Sequence, residues 1–213
     1  MPRALISGSD FVDYEGVWDV ATGGRRVAKR WDVIYSCLDN SLNEVQKNWE
    51  LAKACVNRLS EVKGLRILLS GRAAASDVPR QPGVETCGVL SRGQFLECLA
   101  RSRAAFFPNL LDASPRVITE ALSLDVPVLV NEGILGGWKY ITPQTGRFFT
   151  DETDVVPAML DVLSSSYEPR QWFTENHGPK RSGALLAAFV REVAARDGGR
   201  APDLDTAHFT GSL

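Results

Sequence analysis

Metal-binding and disulfide patterns are missing from this sequence. Its four cysteines, Cys37, Cys55, Cys87 and Cys98, form no C-x-x-C pair, and neither His177 nor His208 stands at metal-ligand spacing from them. That argues against a zinc site or a disulfide framework. Each cysteine lies in or beside an apolar run, so buried thiols in a reducing compartment are expected. Long hydrophobic runs are also missing. The start, M-P-R-A-L-I-S-G-S-D, has no apolar stretch of signal-peptide length, and no later run reaches transmembrane length. The expected location is therefore cytoplasmic, with no transmembrane segment. Positive charge is not in excess: 24 Lys and Arg against 26 Asp and Glu leave a formal net charge of −2. This excludes the electrostatic footprint of a general nucleic-acid or membrane-surface binder. Internal repeats and low-complexity blocks are absent as well.

What is present is an ordinary globular composition, 44% apolar and 23% charged over 213 residues, enough for one good core with extra terminal segments. Residues 1–30 are rich in Gly, Asp and Arg and read as a linker or edge segment, with Arg25, Arg26, Lys29 and Arg30 as a solvated basic face. From Trp31 the run D-V-I-Y-S-C-L is the pattern of a strand covered on both faces. Ser41 and Glu44 form an S-x-x-E capping box, and Val45, Trp49, Ala52, Cys55 and Leu59 recur at helical spacing, predicting a helix from about 42 to 60. Strands are predicted over 65–70, 84–90 and 103–107, with a helix capped by Ser91 and Gln94 before the last of these. A strand over 126–130, a glycine-punctuated loop, and helices over 155–163 and 184–195 follow. The tail, 197–213, is polar and expected to be flexible. Alternating strands and helices with short connections give an α/β, Rossmann-like doubly wound parallel sheet with helices on both faces, over 31–196. Ligands of such sheets bind outside the carboxyl ends of the strands. The loops after Leu38, Ser70, Val89, Phe107 and Val130 should therefore share one rim.

The stretch from Phe106 to Val130, F-F-P-N-L-L-D-A-S-P-R-V-I-T-E-A-L-S-L-D-V-P-V-L-V, reads as buried strand, tight loop, helix and buried strand. Ser114 is placed to cap the helix and Pro115 to occupy its first position. The first turn then aims free N–H groups and the positive dipole end at the loop, as in phosphate sites. Two carboxylates, Asp112 and Glu120, bracket that turn as D-x7-E.

Together, a Lys-bearing helix after the first strand, a strand ending in Gly, V-x-x-x-G, D-A-S-P-R-V-I-T-E-A-L, D-V-P-V-L-V, a G-G loop and T-G-R-F-F resemble the carboxyl-terminal, nucleotide-sugar-binding half of GT-B glycosyltransferases. The likeness is greatest to the retaining group often called family 4, and runs over roughly Val33 to Phe189. It implies a hexosyltransferase that needs no metal and no cofactor, with a UDP- or GDP-linked sugar as donor and a glycan, lipid or protein as acceptor. By that resemblance Glu120 binds the ribose hydroxyls and Asp112, in place of a glutamate, lies beside the transferred sugar. Ala113, Ser114, Pro115, Arg116 and Val117 match the segment whose amides meet the diphosphate and sugar. Lys47 matches the basic residue that neutralises the leaving group. Gly71 and Gly88 match close approaches to the nucleotide, and Arg72 and Val89 adjoin them. Where the family has an arginine six residues before the lysine, this chain has Ser41; Arg116 or Arg72 is expected to supply that charge.

Each residue also has a plainer reading. Lys47 and Arg116 are ordinary helix-surface cations in isolation, Asp112 a turn acid, Gly136-Gly137 a tight turn, and His177 and His208 surface residues. The family's amino-terminal acceptor-binding domain has no counterpart here. The alternative function is accordingly a non-catalytic nucleotide-sugar-binding subunit or fragment that needs an acceptor-domain partner chain, or a homo-oligomer. A sugar-nucleotide epimerase would need a set of catalytic acids not found in the sequence.

Overall fold

In the computed structural model residues 4–38, 40–72 and 78–196 are described. Six strands, β1 (Trp31–Ser36), β2 (Ile67–Ser70), β3 (Val84–Cys87), β4 (Ser102–Phe107), β5 (Val128–Asn131) and β6 (Gly146–Phe149), form one sheet. Its order is β3-β2-β1-β4-β5-β6, and every neighbouring pair is parallel. Alternate residues of the inner strands feed two cores. Ile34 and Leu68 pack with α1 (Tyr14–Thr22), α4 (Arg92–Ala100) and α5 (Arg116–Ser123). Val33, Tyr35, Ile67 and Leu69 pack with α3 (Trp49–Ser60) and α6 (Val155–Ser164). Burial on both faces is why these strands are uninterrupted apolar runs. The fold is thus the α/β, doubly wound sheet that the alternation of elements implied.

Strand order reverses between β1 and β4, so the connections leaving their carboxyl ends diverge and open a crevice there. The register, Val33 beside Ala104, Ser36 beside Ser70 and Phe107 beside Val130, brings the following loops to one edge.

Several local expectations are corrected. The helix predicted over 42–60 is two helices, α2 (Ser41–Gln46) and α3. Asn40, not Ser41, caps α2 by accepting from the Asn43 amide. Asn48 then takes φ +52°, a conformation Asn tolerates better than most residues. The break lets Trp49 turn inward and stack on Tyr35, ring centroids 6.1 Å apart. Beyond the sheet, α7 (Pro169–Asn176) was not anticipated, because its sequence is polar apart from Trp172 and the buried Phe173. The last helix, α8 (Pro179–Arg196), begins earlier than its apolar stretch suggests. Within the predicted strands, β2 begins at Ile67 and β5 at Val128. The tail 197–213 lies outside the described residues.

The segment before residue 30 does build core. Asp13 caps α1 and Gly23 ends it in the left-handed region, while Val12, Val17 and Ala21 are buried against α4 and α5. Upstream, Asp10 is almost fully buried and its carboxylate accepts from the Ser7 amide, Lys139 Nζ, Tyr140 Oη and His177 Nδ1 at 2.6–3.0 Å. Burial opposes its ionisation, but those hydrogen bonds together hold the carboxyl well below the usual range. His177, expected at the surface, is half-buried among the rings of Tyr140, Trp172 and Phe173. Nor is Lys29 purely a solvated cation: its ammonium donates to the carbonyls of Ala100 and Ser102 at 2.9 and 2.8 Å.

Candidate functional site

A pocket of about 260 Å³ opens in the β1–β4 crevice. Its walls are mainly apolar, from Ile34, Phe107, Phe95, Leu99 and Val117, and its polar lining includes Asn43, Lys47 and Asn109. Lys47 stands at the carboxyl end of α2, where the chain turns back toward the sheet. Its ammonium meets Asp112 Oδ2 at 2.8 Å, and Asn109 Nδ2 donates to the same oxygen at 3.0 Å. Two residues matched from distant parts of the sequence are therefore in direct contact. Both side chains are largely shielded from solvent, so this pair is screened less by salt than a surface ion pair.

The loop carrying Asp112 is held on both sides. The Leu110 amide donates to Gln46 O of α2, and the Leu135 amide, from the loop after β5, donates to Leu110 O at 2.9 Å. Gly136 lies so close that a Cβ there would collide with Asp112 O and the Ala113 backbone. At Gly137, φ is +80° and a Cβ would collide with the Pro115 ring. These glycines make more than a turn: the β5 loop closes over the D-A-S-P segment.

Ser114 does not cap α5, contrary to expectation. Its Oγ accepts from the Ser9 amide at 3.0 Å and shares a hydrogen bond with Ser9 Oγ at 2.9 Å. Pro115 takes the cap position and supplies no side-chain cap. Among the described residues the α5 start thus has no cap from its own N-cap side chain, and its dipole end lies beside the exposed Ala113 and Ser114.

Glu120 occupies different surroundings from Asp112. It is buried on α5, with Oε1 2.8 Å from Nη1 of Arg92, the first residue of α4. That contact is ionic: Oε1 has no aligned hydrogen-bond donor among the described residues. Burial raises the Glu120 pKa, and the charges of Arg92 and Arg116 oppose it. Arg116 faces a second cavity of about 210 Å³ on the α1 side, shared with Gly8, Phe11 and Arg92, rather than the pocket of Lys47. Arg72 is buried, 2.9 Å from Glu44 and with its guanidinium 4.1 Å from the Trp49 ring centre. Its charge is committed to the α2–α3 corner. Gly71, at φ +93°, has steric cause to be glycine, since a Cβ would lie 2.6 Å from Cys37 O at the end of β1. Gly88 faces open space, and Val89 is 74% exposed on the rim.

Sequence reasoning missed Arg92 and Asn109. Arg92 carries a signal in hindsight, being a cation in the first turn of a capped helix, where the dipole favours acids. Asn109 carries none, because an Asn after Pro108 reads as an ordinary loop residue. All four cysteines are free, and burial raises each thiol, Cys55 to about 12. Among the described residues no group of three or more His, Cys, Asp or Glu is placed to hold a metal ion, and no helix is long and apolar enough to cross a membrane.

No family model matches the sequence, and no curated protein does. Solved structures match well. AviGT4, a glycosyltransferase involved in avilamycin A biosynthesis, superposes with a TM-score of 0.59 at 18% identity, over 89% of this chain and 57% of that one. The lipopolysaccharide outer core galactosyltransferase WaaB, in its apo form, gives 0.63 at 14% identity, over 86% and 54%. Sucrose-phosphate synthase from Thermosynechococcus elongatus gives 0.58 at 13%, over 90% and 51%. The likeness establishes the fold. The sheet and its helices are those of one half of these glycosyltransferases, and the chain spans about half the length of each.

Proposed function

We propose that this chain is the donor-binding half of a retaining hexosyltransferase that uses a UDP- or GDP-linked sugar. The observation that carries this reading is the Lys47–Asp112 contact, 2.8 Å long, at the switch-point crevice beside the uncapped start of α5. A diphosphate seated there would meet the amides of Ala113, Ser114, Arg116 and Val117, the dipole of α5 and the Lys47 ammonium. Glu120 would accept from two ribose hydroxyls, with Arg92 holding its carboxylate charged. Gly88 and Val89 lie on the rim toward the nucleoside. Asp112 would stand at the sugar. Arg116 supports the diphosphate from the α1 side, and Arg72 acts through the α2 corner rather than on the ligand.

In this mechanism the bond from the anomeric carbon to the diphosphate oxygen breaks and its electron pair leaves with the diphosphate. Lys47 and the loop amides stabilise the growing negative charge, so no metal ion is required. The acceptor oxygen bonds to the same face, and its proton passes to the departing phosphate. Titration calorimetry with UDP and GDP tests the assignment. Lys47→Ala and Glu120→Ala should each weaken the favoured nucleotide by at least about tenfold, the range of a charge-assisted hydrogen bond. Unchanged affinity in both variants contradicts it.

A second reading, a subunit that acts only beside an acceptor-binding chain, is favoured by one observation. The helix and loops bordering the pocket expose Leu42, Val45, Leu111, Leu135 and Trp138, apolar side chains that a partner chain would cover. A monomer by size exclusion that hydrolyses donor unaided argues against this reading.

A further inference from the structure

Ser114 precedes a proline at the start of a helix, the place where a serine hydroxyl ordinarily turns onto the helix's own first amides. Here that hydroxyl is held elsewhere. Its Oγ accepts from the Ser9 amide at 3.0 Å and shares a hydrogen bond with Ser9 Oγ at 2.9 Å. Ser9 is 1% exposed, whereas Ser114 lies at the surface. The buried partner is also the anchored one. Next to it the Asp10 carboxylate gathers its four donors, and the Asp10 carbonyl accepts from the Gly178 amide at 2.9 Å and from Ser182 Oγ at 2.8 Å, around the start of α8. Gly8, on the other side, comes close enough that a Cβ there would lie 3.6 Å from Ser114 Oγ. The segment thus reaches Ser114 from a firm base, and Pro115, with ψ +82°, stays outside the helical range.

We propose that Ser9 is a positioning residue for the diphosphate seat: it holds the Ser114 hydroxyl off the first turn of α5 and so keeps the Arg116 and Val117 amides open to a phosphate oxygen. This rests on the donor-binding reading above. A serine cap and a phosphate compete for the same donors, the second and third amides of the helix. With Ser114 as the cap, Pro115 becomes the first helical residue, and those donors are the amides of Arg116 and Val117. Two hydrogen bonds to a buried neighbour outweigh one cap bond, so the hydroxyl stays on Ser9 and the loop is preorganised before a ligand arrives. Removing the Ser9 hydroxyl leaves one bond on each side of that balance and gives the capped form a share of the population.

Calorimetry with UDP and GDP on the intact chain, beside amide hydrogen exchange, tests this. Ser9→Ala should weaken the favoured nucleotide roughly fivefold, the range of one neutral hydrogen bond. In a Ser114→Ala background, where no hydroxyl is left to cap the helix, the same Ser9→Ala change should move affinity by less than about twofold. Without nucleotide, the Arg116 or Val117 amide should exchange more slowly in Ser9→Ala than in the wild type, because a cap protects it; lost support alone would speed exchange. Should Ser9→Ala lose its native circular dichroism, Ser9→Cys, similar in shape and a much weaker donor, takes its place. Unchanged affinity in Ser9→Ala overturns the proposal, as does an equal loss in both backgrounds or faster exchange at both amides. Any of these in a chain whose wild type binds nucleotide leaves the donor-binding reading standing, whereas a wild type that binds neither nucleotide removes both.

Discussion

Glu120 shows how one residue sets stability against binding. Its carboxyl is buried, and burial raises its pKa above the ordinary 4.5 despite the charges of Arg92 and Arg116. For a carboxyl raised in the folded state, the unfolded chain releases its proton first. Stability therefore falls as pH rises through the interval from 4.5 to the shifted value and stays lowered above it. Glu120→Gln should accordingly be at least as stable as the wild type at neutral pH, with any gain vanishing below 4.5, while nucleotide affinity drops. Denaturant unfolding at both pH values, with calorimetry alongside, measures this; a variant markedly less stable at neutral pH would mean the Arg92 pair outweighs burial. D-x7-E and its flanking strands singled out Glu120 as a candidate. Its partner was not singled out, because Arg92 comes from another helix and no local pattern encodes that contact.

Among the elements, α5 and the segment that buttresses it decide the geometry of the site. Ser114 looked like a cap from its place before Pro115, yet a distant serine, Ser9, takes its hydroxyl. Local propensity was overridden by a tertiary partner. The same cause explains residues 1–30: Gly and Asp suggested a linker, but Asp10 finds four donors that are far away in sequence, except Ser7. Because the Asp10 carboxyl is depressed in the folded state, it stabilises the protein above 3.8, the unfolded value, and this contribution is lost as pH falls through the shifted value. Asp10→Asn should cost roughly 3 kcal/mol near neutral pH by leaving Lys139 poorly compensated, and less below 3.8. Guanidinium unfolding reads the loss. Hydrogen exchange should show α1 and the Ser9–Ser114 contact loosening first; a change under 1 kcal/mol, about the size of a surface pair, would contradict the role given to this cluster.

For the whole molecule, the legible part was the sheet. Apolar runs that need cover on both faces, alternating with helices, leave little choice but a parallel doubly wound sheet, and ligands of such sheets bind at the switch point. Boundaries and side-chain partnerships were less legible. The break at Asn48 serves Trp49 packing on Tyr35, and the glycine pair serves contact with the D-A-S-P loop. Neither partner is near in sequence. What the assembled molecule offers is a crevice with a paired lysine, the start of α5 and exposed apolar side chains beside it.

The central claim is that this crevice seats a nucleoside diphosphate at the start of α5. Amide chemical shifts followed during titration with UDP and GDP test it most directly. The expected result is saturable shifts at Ala113, Ser114, Arg116, Val117 and Lys47 for at least one nucleotide. No saturable shift with either nucleotide, or shifts confined to the opposite edge of the sheet, would contradict it.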